Sequence, residues 1–200
     1  MRVALLLLMT ILLSGCITIE SSAPTTFYLL TVESSAVPDS SSADGLSIGL
    51  GPLKLPDYLK RPQIVSRDGQ NGAVVADFHH WAGELEQNMM GVLTQQLAEE
   101  PGIDLISGYP WGRHRVIRYQ VKLDILRFDG GLSGEVALIG SWSLLDDAGR
   151  KELAIYPFSL SVDAGAGGYS GYVAALNRLL LQLGRQIGSE VANNHAGRVN

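Results

Sequence analysis

The sequence predicts an α+β fold, with two amphipathic helices packed on one face of a mainly antiparallel or mixed sheet. The first observation is a series of segments rich in β-branched and aromatic residues, bounded by glycine, proline, asparagine or aspartate. The second is a pair of segments in which apolar residues recur at helical spacing. Because each helix has one apolar face, packing both helices on a sheet buries the apolar surfaces of all three elements.

The first half of the chain is expected to contain two single strands and then a hairpin. "TFYLLTV" at 26–32 and "LSIGLGPLKL" at 46–55 have the composition of strands. "PDYLKRP" at 56–62 begins and ends with proline, which has no backbone N–H to donate, so we expect a turn or a short helical turn there. "QIVSR" and "AVVADF" then form a hairpin whose loop is "DGQNG" at 68–72.

The second half is expected to combine long strands with the two helices. The pattern predicts a helix over 84–100, a short strand over 103–107, and long strands over 118–129, 135–146 and 152–162. The first long strand alternates apolar and polar residues, as a half-buried antiparallel strand does, until Arg127, where we predict a bulge or an internal ion pair. The last helix carries an apolar stripe that consists of Tyr172, Leu176, Leu179, Leu180, Leu183, Ile187 and Val191.

Residues 1–15 are typical of a secretory signal peptide. Arg2 is the only charge ahead of an apolar run that is shorter than the about 20 residues needed to cross a bilayer. The run ends in "LSGC", which resembles the lipobox of bacterial lipoproteins, and Cys16 is the only cysteine of the chain. We therefore predict cleavage before Cys16, with diacylglycerol on its thiol and an acyl chain on its new amino group, which together anchor the protein to a membrane.

The predicted organisation of the mature chain is one domain on a tether. Residues 16–25 form the lipid-anchored tether, residues 26–194 a single periplasmic domain that includes a Ser-rich loop at 33–44, and residues 195–200 a C-terminal tail. The net charge of −5 becomes one unit more negative when Arg2 leaves with the signal peptide. An acidic chain without clustered cations is a poor match for nucleic acid, so we expect none as a partner.

The proline-bracketed segment is the candidate docking element. It presents Tyr58, Leu59, Lys60 and Arg61 between two prolines that keep it from forming an ordinary strand. Aromatic and arginine side chains are enriched at the energetic centres of protein interfaces, so these four residues are the predicted partner-binding residues. The alternative is that Tyr58 and Leu59 only cover the edge of the sheet.

The sequence contains no pattern that predicts catalysis or a metal centre. His79 and His80 are adjacent on a predicted strand and so point to opposite faces; Trp81 beside them is expected to cover the core or an edge. A single cysteine and the lack of an H-E-x-x-H motif give no support to a zinc site. Ser133 and Ser170 lack the flanking glycines of a nucleophile elbow. We expect no enzyme activity, no metal, and no cofactor apart from the covalent lipid.

Several sequence blocks occur in an order that resembles one known family. They are "FYLL" after the lipobox, then "IGLGPLKLPDYLKRPQIVSR", "WAGELEQNMMGVLTQQLA", and "RYQVKLDILRFDG" followed by "GEVALIGSWSLLD". Together they resemble the auxiliary lipoproteins of ABC-type transport systems, a family that includes the Pqi-type intermembrane transport lipoproteins. The resemblance extends from about Phe27 to the last helix.

The resemblance implies a non-enzymatic accessory component of an ABC-type intermembrane lipid transport system. Such a lipoprotein sits on the outer membrane, faces the periplasm, and docks a membrane-anchored partner that carries MCE domains; we also expect a homo-oligomer. Ile17 stands where inner-membrane lipoproteins commonly carry aspartate, which agrees with the outer membrane. One alternative is a structural envelope adaptor without a transport role. A lipoprotein hydrolase is disfavoured, because no nucleophile and base occur in a recognisable motif.

Overall fold

A five-stranded sheet and a three-stranded sheet form the β layer of the protein. The structure, a computed structural model, describes residues 23–32, 46–112, 114, 116–146 and 149–199. The predicted signal peptide, Cys16, most of the predicted tether and the predicted loop at 33–44 lie outside these ranges. In chain order the elements are β1 (Thr26–Tyr28), β2 (Ser47–Lys54), a 3-10 turn (Asp57–Leu59), β3 (Gln63–Asp68), β4 (Gly72–Trp81), α1 (Leu85–Ala98), β5 (Leu105–Gly108), β6 (Tyr119–Gly130), β7 (Glu135–Asp146), β8 (Lys151–Asp163) and α2 (Gly168–Val199).

The five-stranded sheet is mixed and carries both helices on one face. Its strand order is β5-β2-β6-β7-β8. β2 pairs in parallel with β5 and β6, whereas β6, β7 and β8 form an antiparallel meander. α1 packs on β2 and β5, α2 packs on β7 and β8, and the two helices contact each other. The predicted α+β fold, with two helices on one face of a mixed sheet, is therefore confirmed.

The three-stranded sheet has the order β1-β4-β3 and packs beside β6. β3 and β4 form the antiparallel hairpin that the sequence predicts around residues 68–72. β1 joins the outer side of β4 in parallel. This second sheet places the proline-bracketed turn next to the end of β6, and that neighbourhood contains the candidate site.

Alternating apolar residues bury one face of β6, as the pattern predicts. Tyr119, Val121, Leu123 and Ile125 are each at most 2 % exposed. The whole predicted stripe of α2, from Tyr172 to Val191, is likewise buried against the sheet and α1. Burial of these side chains is the main source of stability for the helix layer.

The first strand is shorter than predicted, because side chains rather than a strand satisfy the backbone after Tyr28. Asn88 of α1 accepts a hydrogen bond from Leu30 N at 2.8 Å and donates one to Leu30 O at 3.0 Å. Asn177 of α2 likewise accepts a hydrogen bond from Thr31 N at 3.0 Å and donates one to Thr31 O at 2.9 Å. The two amides replace the missing sheet partner and hold the segment against both helices.

The last helix is longer than predicted, since α2 continues to Val199 and residues 195–199 are helical rather than a tail. The apolar stripe ends at Val191, which is why the pattern placed the end of the domain soon after it. No proline follows, and each further helical residue adds a backbone hydrogen bond once a helix exists. None of the helices in the described ranges is both long and apolar enough to cross a membrane.

Candidate functional site

The proline-bracketed segment forms one 3-10 turn between Pro56 and Pro62, in agreement with the prediction. Leu59 N donates to Pro56 O at 3.0 Å, and Lys60 N donates to Asp57 O at 3.1 Å. Lys60 Nζ also donates to Asp57 Oδ1 at 2.8 Å, and this contact lowers the pKa of the exposed Asp57 carboxyl. The turn therefore has a defined conformation, supported by backbone and side-chain hydrogen bonds.

The structure divides the four predicted docking residues into two pairs. Leu59 is 3 % exposed and belongs to the hydrophobic core. Tyr58 is half-buried, and its hydroxyl donates to Asp129 Oδ2 at 2.5 Å. Lys60 and Arg61 are exposed. Partner binding by this segment stays a prediction, and within it Lys60 and Arg61 are the residues with side chains open to solvent.

A cavity of about 520 Å³ lies between the turn and the start of α1. Its lining includes four buried apolar side chains: Leu55, Leu59, Trp81 and Leu85. Its charged lining consists of Lys60, Arg61, Glu84 and Glu86. An apolar interior with a charged edge is the usual composition of a site that accepts an apolar group and orients it by polar contacts.

Backbone hydrogen bonds fix the wall of this cavity. Trp81 N donates to Pro62 O at 2.7 Å, which ties the end of β4 to the end of the turn. Ala82 N donates to Tyr28 O at 2.9 Å, which ties the same wall to β1. The cavity is thus positioned by three separate elements. Trp81, which was expected to cover the core or an edge, is 5 % exposed and belongs to the core.

A buried carboxylate lies behind the turn. Asp129 is 1 % exposed, and its Oδ1 accepts hydrogen bonds from Arg67 Nε at 2.5 Å and from Arg127 Nε at 2.8 Å. Burial raises the pKa of Asp129, but hydrogen bonds from Arg67, Tyr58 and Arg127 outweigh burial and leave this pKa below its ordinary value. Burial, together with the hydrogen bond to Asp129, raises the pKa of Tyr58 to about 12.

Tyr172 connects the two sheets beside this carboxylate. Its fully buried hydroxyl donates to Val65 O of β3 at 2.8 Å and accepts from Gly130 N of β6 at 3.2 Å. Burial raises the pKa of the Tyr172 phenol well above its ordinary value, so the hydroxyl keeps its proton as a donor. The apolar stripe predicted Tyr172 as a core residue, whereas nothing in its spacing indicated the polar role.

The bulge predicted at Arg127 is present, and so is the ion pair. The pairing of β6 with β7 shifts register between Ile125 and Arg127, and Leu126 is 67 % exposed at this point. Arg127 then pairs with Asp129 two residues later. Asp129 itself was missed by the sequence analysis, although it lies in the "RFDG" block.

The histidine pair shows no arrangement for metal binding. His79 Nδ1 lies 2.9 Å from the Tyr28 hydroxyl, and its ring stacks on Tyr169 with centroids 3.9 Å apart. His80 instead makes an edge contact with Phe27, with centroids 6.0 Å apart. Among the described residues no cluster of three or more histidine, cysteine, aspartate or glutamate side chains is arranged to hold a metal ion.

Comparison with known proteins agrees with this fold. The chain is 25% identical over 179 residues to the intermembrane transport lipoprotein PqiC of Escherichia coli K12, which covers 90% of this chain and 91% of that protein; PqiC of Shigella flexneri gives the same values. A crystal structure of an uncharacterized protein superposes with a TM-score of 0.69 at 22% identity, over 84% of this chain and 99% of that chain. Protein XCC0632 from Xanthomonas campestris superposes with the same TM-score of 0.69 at 14% identity, and the match covers 87% of this chain and 99% of that chain.

A family model described as "ABC-type transport auxiliary lipoprotein component" matches residues 28–188. The match includes every strand except the first two residues of β1, together with the turn, the cavity and most of α2. It covers well over half of the 200 residues, so the chain belongs to the family of ABC-type transport auxiliary lipoproteins.

Proposed function

We propose that this chain is an outer-membrane-anchored periplasmic lipoprotein that serves, without enzymatic activity, as an accessory component of an ABC-type intermembrane lipid transport system. In this role it docks a membrane-anchored, envelope-spanning partner with MCE domains, and it works as a homo-oligomer. Membership of the family supports the transport role, as does the name of its relative PqiC. The "LSGC" block and Ile17 support the lipid anchor and the outer membrane.

The cavity beside the 3-10 turn is the observation that carries the docking proposal. Buried apolar side chains line this cavity between the turn and α1, where it can receive an apolar side chain of the partner. Arg61 is exposed at this cavity and takes part in none of the ion pairs among the described residues. An acidic partner residue beside the inserted side chain would therefore complement Arg61.

Reversing the charge of Arg61 tests this proposal. Arg61→Glu should weaken binding to the purified MCE-domain partner by about tenfold, because an acidic partner residue would then meet a like charge. Arg118→Glu is the matched control, since Arg118 is also exposed but directly precedes β6, at the opposite end of this strand from Asp129, and does not line the cavity. Biolayer interferometry with the detergent-purified lipoprotein measures both variants. If the two variants lost the same amount of affinity for the partner, the cause would be a general effect of charge, and docking at the cavity would be contradicted.

A transport assay separates the accessory role from the structural adaptor. In cells that carry Arg61→Glu, movement of phospholipid between the two membranes should slow in proportion to the loss of partner binding. Normal lipid movement together with lost binding would favour the adaptor.

A further inference from the structure

Two arginines share a single carboxylate oxygen in the cluster behind the turn. Arg67 Nε and Arg127 Nε both donate to Asp129 Oδ1, from β3 and β6 respectively. The other carboxylate oxygen accepts from the Tyr58 hydroxyl, so both oxygens of Asp129 have hydrogen-bond partners. The cluster therefore contains two guanidinium charges and one carboxylate charge, an excess of one positive charge in a protein whose net charge is −5.

The bulge in β6 creates this arrangement. Before the bulge the odd-numbered residues, such as Ile125, face the helix layer; after it Phe128 enters the core. The bulge therefore exchanges the two faces of the strand: after it, even-numbered residues such as Phe128 face the core. Arg127 and Asp129 consequently lie together on the opposite face, towards β3. A strand without the bulge would place the Arg127 side chain against the apolar core.

Most of the donors on the two arginines remain available. The side-chain hydrogen bonds of the cluster use both Nε groups, and Arg67 Nη1 makes one long contact with Gln70 O at 3.4 Å. Arg67 also interacts with the Tyr58 hydroxyl, whereas Arg127 has no such second contact among the described residues. The Arg67 and Arg127 side chains are 32% and 31% exposed, so part of each guanidinium reaches solvent. The shared oxygen holds both Nε groups at one point, so the two guanidinium groups are close neighbours, and a second anion bound to their remaining donors would balance the excess charge.

We propose that Arg67 and Arg127 form a binding site for a phosphate group. Planar guanidinium groups recognise phosphate through paired N–H donors, and a prior hydrogen bond to Asp129 fixes their orientation before a ligand arrives. The phosphate belongs either to a phospholipid head group or to free phosphate, and both present the same oxygens. The site is separate from the docking cavity and does not depend on the proposed docking function.

The test uses the full-length lipoprotein in an uncharged detergent. Inorganic phosphate and dihexanoyl phosphatidylglycerol are titrated separately, by calorimetry and by NMR of the arginine Nε–Hε resonances. Phosphate binding should shift the resonances of Arg67 and Arg127 and leave that of Arg185, an exposed arginine of α2, unchanged. A response to both ligands identifies the phosphate group as sufficient, and a response to the lipid alone identifies the head group as the source.

Arg127→Lys sharpens the test, because it keeps the charge and removes the planar pair of donors. We expect binding about tenfold weaker than that of the wild type, whereas Arg185→Lys should bind normally. The wild-type NMR titration decides the question if Arg127→Lys does not fold. The proposal is overturned if neither ligand moves the Arg67 and Arg127 resonances, or if a folded Arg127→Lys protein binds as tightly as the wild type.

Discussion

Asp129 illustrates how one residue links elements that are distant in sequence. Its carboxylate joins the turn through Tyr58, the hairpin through Arg67, and its own strand through Arg127. A buried carboxylate is stable only when its oxygens are satisfied, and removing it leaves two guanidiniums without their partner. At the residue scale, the position of the turn therefore depends on Asp129.

Asp129→Asn should lower the free energy of unfolding by about 2–3 kcal/mol at pH 7. This is at or below the low end of the about 3–5 kcal/mol for a broken buried pair, because both arginines are partly exposed. The folded-state pKa of Asp129 is below its ordinary value, so the ionised group stabilises the fold above about pH 4, and this contribution disappears as the pH falls through the lowered pKa. Urea unfolding at several pH values should show the wild type and the variant converging in acid.

Asp124→Asn provides the control on the same strand. Asp124 is 51% exposed and lies 3.9 Å from Lys54 Nζ, so its removal should change the free energy of unfolding by less than about 1 kcal/mol at any pH. If Asp129→Asn changed the free energy of unfolding at pH 7 as little as Asp124→Asn does, the Asp129 carboxylate would not be what holds the turn in position.

Residue roles were the part of the structure that the sequence predicted least well. Arg127 interrupts a clear alternation, and this local signal predicted a bulge or an ion pair at that position; the structure contains both. Tyr58 gave no such signal, because its partner Asp129 lies 71 positions away and nothing local distinguishes an interface tyrosine from one that caps a buried carboxylate. Leu59 was equally ambiguous, and its burial supports the alternative that it covers the sheet.

Elements were predicted well wherever a periodic pattern extended over several residues. β7 was predicted with its observed bounds, and β6 and β8 to within one residue at each end, because alternation and turn residues define them. β1 was predicted too long, since "TFYLLTV" is strand-like throughout, while Asn88 and Asn177 bind the backbone after Tyr28. Hydrogen bonds from side chains of distant helices to this backbone cannot be predicted from the residues of the segment itself.

Asn88→Ala should release the segment after β1. The substitution leaves the N–H and C=O of the buried Leu30 without their partner, and we expect a loss of about 1–2 kcal/mol in the free energy of unfolding. Hydrogen exchange at Leu30 and Thr31 should accelerate more than exchange in β6. Asn193→Ala, at an exposed position of α2, is the control and should leave both measurements unchanged. Unaltered exchange at Leu30 would show that the amide does not hold the segment.

In the part of the chain that the structure describes, the two sheets are joined where Tyr172 bridges β3 and β6. The sequence predicted one layer of strands under two helices, and this is correct for the larger sheet. The separate three-stranded sheet was not predicted, because strand composition does not specify which strands become neighbours. Its presence places the turn over the end of β6 and opens the cavity between the turn and α1.

The lipid anchor is a prediction at the scale of the whole molecule, since it determines where the domain is held. Cys16→Ala should abolish incorporation of radiolabelled palmitate and leave a precursor that is larger by the uncleaved signal peptide. The reason is that the thiol is the predicted acceptor of diacylglycerol. Membrane fractionation should then find the variant absent from the outer membrane. Normal processing and labelling of Cys16→Ala would contradict the lipobox interpretation.

Filling the cavity is the most direct test of docking, the central claim. Gly83 lines the cavity, and a Cβ built on it meets no atom within 4 Å, so Gly83→Trp should add a large side chain at the cavity wall without a clash at the Cβ. Gly197→Trp is the matched control, because Gly197 is also exposed and its Cβ would also meet no atom. The measurement is the affinity of each variant for the MCE-domain partner, taken beside a thermal melt. Binding at least tenfold weaker for Gly83→Trp alone, with an unchanged melting temperature, is the predicted result; wild-type affinity with a filled cavity would contradict docking at this site.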